Sequence, residues 1–359
     1  MEKLLSIIIP TYNMENYLRK CLDSLIVSDE NMQLLEVLVI NDGSKDSSSS
    51  IAHEYESKYP QTIRVIDKEN GNYGSCINRG LKELSGKYVK VLDADDYFVN
   101  DIFDKFITFL KAKDEDLIIN DYSIVNEHDA VWETYSFDLP IDRCFGLSDI
   151  HVGAVEWLWH HGITYKATIF QSLNYRQTEG ISYTDDEWIF KPMVAVDTVA
   201  YFPHELYHYL MGREGQTFDP KIMKASFDKR IIVGKSMALF YESEFNKCSV
   251  AAKHYMDAKL RDRLFVIYAF FLIKEFSKSS ISMIVEFDDF LKTKAPHVYQ
   301  LLETFKTSLR GDNIITIWRK SGHKRTLGLL MRQMKFKLRL ALGREYRNLH
   351  MPETLKRKS

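Results

Sequence analysis

The stretch that decides the fold runs from Lys90 to Asp96 and reads Lys-Val-Leu-Asp-Ala-Asp-Asp. It begins in a run of apolar and β-branched residues that predicts a buried strand, and it ends in three carboxylates within four positions. Carboxylates this close repel one another and are costly to bury, so something must neutralise them. Asp93 and Asp95 point the same way on an extended chain. The economical explanation is a hard divalent cation shared with a substrate diphosphate.

A purely structural explanation also accounts for the triplet taken alone. In that explanation the strand is followed by the N-terminus of a helix, which Asp96 or Asn100 caps. Asp101 and Asp104 then lie in the first turn, where the helix dipole favours negative charge. The cation is the better explanation because of the turns that precede the triplet.

The first ~120 residues alternate between strand and helix patterns. Strands are predicted over 4–10, 34–40, 63–67, 87–92 and 117–121, and helices over 15–27, 46–59, 74–84 and 101–111. This rhythm predicts an α/β fold with a mainly parallel sheet and helices on both faces. Right-handed crossovers then place the turn after each strand along one edge of the sheet.

Four of these turns carry polar residues that have no evident role in a core. They lie at 10–13, 41–44, 70–75 and 93–96. Each is compatible with an ordinary turn, but together they offer an aromatic wall (Tyr12), a hydrogen-bond acceptor (Asp42), close backbone approach (Gly71 and Gly74) and a metal site. This combination predicts a nucleotide-diphosphate site. The sequence has no GxGxxG or GxxxxGK[ST] motif, which argues against dinucleotide oxidoreductases and P-loop NTPases.

Three motifs recur in order with spacing that resembles glycosyltransferase family 2. They are Ser6–Asn13, Glu36–Ser47 and Gly86–Asp96. The resemblance covers about 4–109. It implies the GT-A fold and a largely inverting enzyme that uses a nucleotide-activated sugar with Mg²⁺ or Mn²⁺.

The resemblance also implies roles for individual residues. Thr11, Tyr12 and Asp42 would hold the nucleobase of the donor, with Asp42 accepting a hydrogen bond from the uracil imide N–H. Asp93 would contact the ribose and the metal, and Asp95 would be the principal metal ligand. The other donor-binding residues predicted with them are Pro10, Asn13, Gly71, Asn72, Gly74, Asn78 and Ala94.

One position departs from the family pattern. Ile77 stands where many members carry an arginine in the third helix, so the contacts usually credited to that arginine have no source there. Arg79 lies on a different face of the helix and is at best a partial substitute.

A second carboxylate cluster lies within 180–188 and opens a helix predicted over 188–196. The structural explanation is that the acidic residues interact favourably with the dipole at the helix N-terminus and that Thr184 caps the helix. The stretch also resembles the family's Glu-Asp motif. That resemblance implies Asp186 as the general base that deprotonates the acceptor hydroxyl, with Asp185 as the alternative.

The segment 205–217 resembles the closing strand of the family and the loop after it. Arg213 is predicted to reach the diphosphate. His208 is a metal-ligand candidate, although a lone histidine in an aromatic strand is usually structural. The aromatic segment 157–166 belongs either to the acceptor site or to the core.

Three regions are predicted. They are a catalytic domain at 1–218 (nucleotide-sugar half 1–121, acceptor half 122–218), a helical domain at 219–318 and a basic tail at 319–359. Long helices are predicted over 221–242, 251–276 and 282–292. The apolar run 265–273 is too short to span a membrane and packs either between helices or at a homodimer interface.

The charge is distributed unevenly. The tail carries thirteen Lys and Arg against two Glu, a local charge of +11, and leaves −13 on 1–318. A basic amphipathic helix over 324–342 predicts contact with an anionic membrane surface, with packing on the body as the alternative. Nucleic acid is disfavoured because no aromatic or helix-turn-helix partner accompanies the tail.

The N-terminus runs directly into a strand, and the four cysteines are far apart. Together with the lack of a signal-like segment, this predicts a cytoplasmic protein, peripheral on the inner face of the cell membrane if the tail binds lipid. The predicted function is metal-dependent transfer of a sugar from a UDP-sugar to a glycan or lipid-linked acceptor in bacterial cell-surface polysaccharide synthesis.

Two alternatives come from other classes. The first is a non-catalytic sugar-nucleotide-binding relative, disfavoured because a dead site has no physical reason to keep mutually repelling carboxylates. The second is a nucleotidyltransferase, which should carry a Gly-rich basic signature where this chain has Pro10–Asn13.

Overall fold

The computed structural model describes most of the chain. The described residues are 2–150, 158–213, 226–274, 277–304, 313–324, 328–329, 331–332 and 334. They form two compact units. The first contains the residues up to Lys229 together with Lys247–Met256, and the second contains Arg230–Asn246 and the residues from Asp257 onward. The predicted domain boundaries at 218 and 318 stay predictions.

The first unit is built on a sheet that has nine strands in the described part of the chain. They are β1 (Leu5–Thr11), β2 (Leu35–Asn41), β3 (Ile63–Asp67), β4 (Tyr88–Val91), β5 (Tyr97–Phe98), β6 (Leu117–Val125), β7 (Val131–Tyr135), β8 (Ile163–Lys166) and β9 (Val199–Leu210). The order across the sheet is β3-β2-β1-β4-β8-β6-β9-β5, and β7 pairs with β6.

Strand direction confirms the predicted α/β class with a mainly parallel sheet. β1 is parallel to both β2 and β4, β2 is parallel to β3, and β6 is parallel to β9. β8 is antiparallel to both of its neighbours, β4 and β6. The turns after β1, β2 and β4 therefore lie along one edge of the sheet.

Seven short or medium helices belong to the first unit among the described residues. They are α1 (Leu18–Asp23), α2 (Asp29–Leu34), α3 (Ser48–Lys58), α4 (Asn72–Glu83), α5 (Asn100–Leu110), α6 (Thr168–Ser172) and α7 (Asp185–Trp188). The helix α4 packs closely on β1 because Gly80 lacks a side chain. A Cβ at Gly80 would lie 2.7 Å from the side chain of Ile8.

The helix predicted over 188–196 is wrong in its extent. The structure has α7 instead, followed by a 3₁₀ helix at Lys191–Ala195. Pro192 has no backbone N–H to continue an α-helical ladder, and the carbonyl of Trp188 accepts a hydrogen bond from the Tyr165 hydroxyl at 3.1 Å. β6 is longer than predicted, reaching Val125, because it is buried along its whole length.

A buried lysine joins the centre of the sheet. Lys90 Nζ donates to Asn120 Oδ1 at 2.9 Å, to the carbonyl of His161 at 2.8 Å and to that of Ile163 at 3.1 Å. Burial lowers the pKa of Lys90 well below its ordinary value. The three acceptors fix the turn before β8 against β4, immediately beside the carboxylates that follow β4.

The second unit is helical. Its helices, two of which begin or end in the first unit, are α8 (Phe227–Glu244), α9 (Val250–Ala269), α10 (Lys278–Lys294), α11 (Pro296–Leu301) and α12 (Ile314–Lys320). A π-helical turn, Phe270–Lys274, continues α9. Most of the apolar run 265–273 is buried within this chain, so packing between helices explains it. A homodimer stays a prediction.

Arg319, the first residue of the predicted basic tail, is part of this helical packing. Its guanidinium pairs with Asp288 at 2.7 Å and lies 3.5 Å from the ring centre of Tyr299. Most of the tail lies outside the described residues, so its contact with a membrane stays a prediction. No helix in the described ranges has the length and apolarity needed to cross a bilayer.

Candidate active site

Three carboxylates converge immediately after β4. Oxygen atoms of Asp93, Asp95 and Asp96 all lie within 4.8 Å of one another. Their side chains are 25%, 12% and 0% exposed, respectively. A cluster of partly desolvated acids requires positive charge or hydrogen-bond donors around it, and each of the three has its own.

Asp95 is paired with arginine. Arg213 Nε donates to Asp95 Oδ2 at 2.6 Å, and the guanidinium also lies 5.3 Å from the ring centre of Tyr17. Burial raises the pKa of Asp95, although the charge of Arg213 opposes the rise. The residue predicted to reach the diphosphate therefore lies against the residue predicted as principal metal ligand.

Asp96 is fixed within the fold. Its oxygens accept hydrogen bonds from the Tyr207 hydroxyl at 2.6 Å and from the Leu210 backbone N–H at 2.8 Å. Burial, followed by the charges of Asp95 and Asp93, raises the pKa of Asp96 well above its ordinary value. Asp96 thus anchors the turn after β4 to β9.

Asp93 is the carboxylate most open to solvent. It accepts from the Tyr73 hydroxyl at 3.0 Å, and its Oδ2 lies 3.2 Å from His160 Nε2. Burial alone would raise the pKa of Asp93, but the charge and hydrogen bond of His160, with the hydrogen bond from Tyr73, hold it below its ordinary value. Asp93 is therefore the most exposed acid of the cluster, with a pKa that His160 and Tyr73 hold low.

The second acidic cluster is held in place by buried polar contacts. Glu187 is completely buried and accepts from the Thr178 N–H at 2.6 Å and from Lys191 Nζ at 2.6 Å. Gln177 Nε2 donates to the carbonyl of Thr184 at 2.8 Å. These bonds orient α7 and leave Asp185 and Asp186 as its partly exposed acids.

Asp185 is the member of this pair that acts on the β4 carboxylate cluster. Burial raises the pKa of Tyr73, and the charges of Asp93 and Asp185 raise it further. Burial lowers the pKa of His160, but Asp93 and then Asp185 outweigh that effect and raise it. Tyr73 and His160, which both contact Asp93, thus also feel the charge of Asp185.

The turn after β2 is closed by its own contacts. Asp42 Oδ1 accepts from the Gly71 N–H at 2.9 Å and also pairs with Lys68, leaving the Asp42 side chain 4% exposed. The Asn13 N–H donates to Ser44 Oγ at 3.0 Å, which joins this turn to the one after β1. The predicted contact between Asp42 and the nucleobase therefore lies where the turns after β1 and β2 meet.

The remaining predicted donor-binding residues divide into two groups. Near the turn after β1, Tyr12 is 44% exposed, whereas Thr11 is buried and donates to the carbonyl of Ile9 at 3.2 Å. Pro10 precedes them and is partly buried, and Ala94 is buried between the carboxylates.

The second group lies on α4 and supports the segment that carries Asp185. A Cβ on Gly74 would lie 2.0 Å from the carbonyl oxygen of Thr178, so only glycine fits there. Asn78 Nδ2 donates to the carbonyl of Gln177 at 2.8 Å, and Asn78 Oδ1 accepts from its N–H at 2.8 Å. Asn72, with φ of 64°, forms the first residue of α4. Asn78 thus holds the segment around Gln177 against α4, and its role in donor binding stays a prediction.

The arginine missing from the third helix has no replacement nearby on that helix. Ile77 is completely buried. Arg79 Nε pairs with Glu83 at 2.9 Å on the surface. Arg213, from the end of β9, is the cation that the structure places at the carboxylates instead.

His208 lies apart from the potential metal ligands. Its Nε2 is 2.5 Å from Glu205 Oε1, and its ring meets that of Tyr97 edge-on at 5.0 Å. It belongs to neither of the two groups of metal-capable side chains found among the described residues. Its role as a ligand stays a prediction.

The sequence reasoning missed several residues that line the site. His160, which lies in the predicted aromatic segment 157–166, contacts Asp93, as does Tyr73, while Lys68 pairs with Asp42. The adjacent pair of histidines was the available signal, because two imidazoles in a short apolar segment are unusual for a core. Their partner Asp93 lies 67 residues earlier in the chain.

The chain is similar to known glycosyltransferases. The model of the family described as "Glycosyl transferase family 2" matches 6–174. An uncharacterised glycosyltransferase, MG025, of Mycoplasma genitalium is 41% identical over 128 residues, 35% of this chain and 42% of its own length. Glycosyltransferase GlyA of Streptococcus pneumoniae is 30% identical over 182 residues, 48% of this chain and 25% of its own length. The chain thus matches less than half of either relative.

A solved structure extends the likeness to nearly the whole chain. The crystal structure of TarS 1–349 from S. aureus, in complex with UDP-GlcNAc, superposes with a TM-score of 0.69 at 19% identity. The superposition covers 96% of this chain and 93% of that one. At this identity the likeness shows the fold, which is GT-A. The family model matches just under half of the chain and contains all three sequence motifs, which confirms the predicted resemblance to glycosyltransferase family 2.

Proposed function

We propose that the chain is a metal-dependent, inverting glycosyltransferase. It moves a sugar from a UDP-sugar to a hydroxyl group of a glycan or lipid-linked acceptor during synthesis of a bacterial cell-surface glycan. The single observation that carries the proposal is the convergence of Asp93, Asp95 and Asp96 after β4, whose carboxylate oxygens lie within 4.8 Å of one another. Asp93 and Asp185 act on the same tyrosine, Tyr73, and the same imidazole, His160.

Single displacement with inversion requires one general base. In the proposed reaction Asp185 accepts the proton of the acceptor hydroxyl as that oxygen forms its bond to the anomeric carbon. The bond from the anomeric carbon to the diphosphate oxygen breaks, and UDP leaves with the electron pair. The contacts that orient α7 through Glu187 support a fixed position for Asp185. The charge of Asp185 acts on both Tyr73 and His160, which supports Asp185 as the base, with Asp186, which the family motif implies, as the alternative.

The residues after β4 fit a divalent cation. Asp93, Asp95 and Asp96 offer carboxylate oxygens within 4.8 Å of one another, and carboxylates are ligands that Mg²⁺ and Mn²⁺ accept. Asp93 and Asp95 would hold the ion, since Asp96 already bonds Tyr207 and Leu210. When bound, the ion neutralises charge on the departing diphosphate.

The donor is proposed as a UDP-sugar. The likeness to TarS, whose structure was solved with UDP-GlcNAc, supports this choice. Asp42 would accept the imide N–H of uracil, and Tyr12, which is 44% exposed, is the aromatic side chain offered by the neighbouring turn after β1. Arg213 would contact the diphosphate, and its position against Asp95 supports that role.

The acceptor is proposed to lie over partly exposed aromatic side chains near the cleft. The rings of Tyr135 and Trp159 stack with centres 6.5 Å apart, and Trp159 lies 5.9 Å from His161. Aromatic faces with a few polar groups suit a carbohydrate. A cytoplasmic location, and contact of 319–359 with the inner face of the membrane, would place the enzyme at a lipid-linked acceptor.

Release of UDP from a panel of UDP-sugars tests the proposal. With Mn²⁺ present, the chain should release UDP from at least one UDP-hexose or UDP-N-acetylhexosamine, and EDTA should stop the release. Binding of UDP-sugars without release, with or without added glycan acceptors, would instead support a non-catalytic binding protein. Formation of pyrophosphate from UTP and a sugar phosphate would support a nucleotidyltransferase.

A further inference from the structure

Two adjacent histidines lie beneath the cleft in the turn that leads into β8. The side chains of His160 and His161 are 8% and 3% exposed, and their ring centres are 3.9 Å apart. Neither has a role in the proposed proton transfer. Two buried imidazoles in contact require an explanation because each carries polar nitrogen atoms.

His161 lacks hydrogen-bond partners for its ring. Neither Nδ1 nor Nε2 has one among the described residues, although the ring is held firmly. It stacks on Tyr209 with centres 4.5 Å apart and meets Tyr207 edge-on at 4.8 Å, while its backbone carbonyl accepts from Lys90. A buried polar group without a partner costs about 1–3 kcal/mol. A ligand at the ring nitrogen would offset that cost.

The two imidazoles converge with a carboxylate. Asp93, His160 and His161 each offer one ligand atom, and these atoms lie within 4.8 Å of one another. His161 Nε2 also lies 4.0 Å from Asp96 Oδ2. Asp93 belongs both to this group and to the carboxylate cluster with Asp95, so it joins nitrogen donors to oxygen donors.

We propose that His160 and His161 supply imidazole nitrogen to the cation that Asp93 holds, which makes the site select Mn²⁺ or another transition-metal ion over Mg²⁺. Mg²⁺ keeps oxygen ligands and water, whereas transition-metal ions bind imidazole readily. The use of the ion in catalysis rests on the proposed function. The binding of the ion to the protein, however, is measured without substrate. The competing explanation is that the histidines only position Asp93.

Titration of the full chain with Mn²⁺ tests the proposal, with the electron paramagnetic resonance signal of the free ion as readout. His161→Phe keeps an aromatic ring against Tyr209 but removes both nitrogens. We expect it to weaken Mn²⁺ binding by at least ~10-fold and to leave the weaker Mg²⁺ binding, measured by competition, unchanged. Equal Mn²⁺ affinity in wild type and His161→Phe would overturn the proposal.

His208→Phe is the matched control. It removes another imidazole near the cleft that lies outside both potential metal groups and pairs with Glu205. It should leave Mn²⁺ affinity within about two-fold. Loss of Mn²⁺ binding in this variant, with retention in His161→Phe, would place the nitrogen ligand at His208 and reject the proposed site.

A measurement on the wild-type protein tests the proposal without requiring that the variants fold. Pulsed electron paramagnetic resonance of the Mn²⁺-loaded chain should detect coupling to a ligand nitrogen nucleus, and coupling to oxygen-bound water protons alone would reject the proposal. The outcome is separable from the proposed function. UDP release without nitrogen coupling would support the transferase and reject the imidazole ligand. Nitrogen coupling without UDP release would support the imidazole ligand and reject the transferase.

Discussion

Replacement of Asp185 with asparagine is expected to lower turnover by a factor of about 10²–10⁴ and to leave the affinity for the UDP-sugar nearly unchanged. Asparagine keeps the size of the side chain but cannot accept a proton in the reaction. The charge of Asp185 acts on Tyr73 and His160, which both contact Asp93, so the substitution removes the acid proposed as the base. Steady-state UDP release gives turnover, and calorimetry gives donor affinity.

Asp186→Asn is the matched control, because it makes the same change at the neighbouring position. We expect turnover within about five-fold of wild type, because single displacement requires one general base and Asp185 is proposed for that role. A large loss in Asp186→Asn together with a small loss in Asp185→Asn would contradict the assignment. That result would support Asp186, which the family motif implies, as the general base.

Replacement of Asp95 with asparagine should lower Mn²⁺-dependent turnover by a factor of about 10²–10³. The carboxylate is 12% exposed and lies 2.6 Å from Arg213, so it is the charge on which both the cation and the arginine converge. An amide leaves the cluster with less negative charge and Arg213 without its ionic partner. Turnover measured across a range of Mn²⁺ concentrations should show both a lower maximum and a higher Mn²⁺ requirement.

Asp101→Asn provides the comparison for this change. Asp101 is an exposed acid in the first turn of α5, six residues along the chain, and its removal should alter turnover by less than about two-fold. If Asp101→Asn and Asp95→Asn behave alike, the carboxylates after β4 do not hold the ion. If Asp95→Asn stays fully active with Mn²⁺, the same conclusion follows.

Much of the fold could be predicted from the sequence because its signals are local. Apolar runs bounded by polar turns located β1 to β4 to within one or two residues, and the alternation with helices gave the parallel part of the sheet. The insertion of β8 between β4 and β6 could not be predicted. It depends on Lys90 reaching three acceptors in distant segments, and a lysine in a strand looks like an exposed residue.

The candidate site shows the same division. The three acids after β4 are adjacent in sequence, so their convergence is visible in the chain itself. The placement of α7 beside them is not visible in the chain, because it depends on Glu187 bonding Thr178 and Lys191 inside the fold. Asn78 matched a donor-binding position in sequence, but its amide holds Gln177.

Calorimetric binding of UDP and of CDP, with and without Mn²⁺, tests the nucleotide site most directly. Uracil offers an imide N–H to Asp42, whereas cytosine presents a lone pair to the same carboxylate. We predict that UDP binds at least ~10-fold more tightly than CDP, a difference of about 1.4 kcal/mol, and that EDTA weakens UDP binding by a similar factor. Equal affinity for the two nucleotides, or UDP binding that EDTA leaves unchanged, would contradict a metal-assisted UDP site at this edge of the sheet.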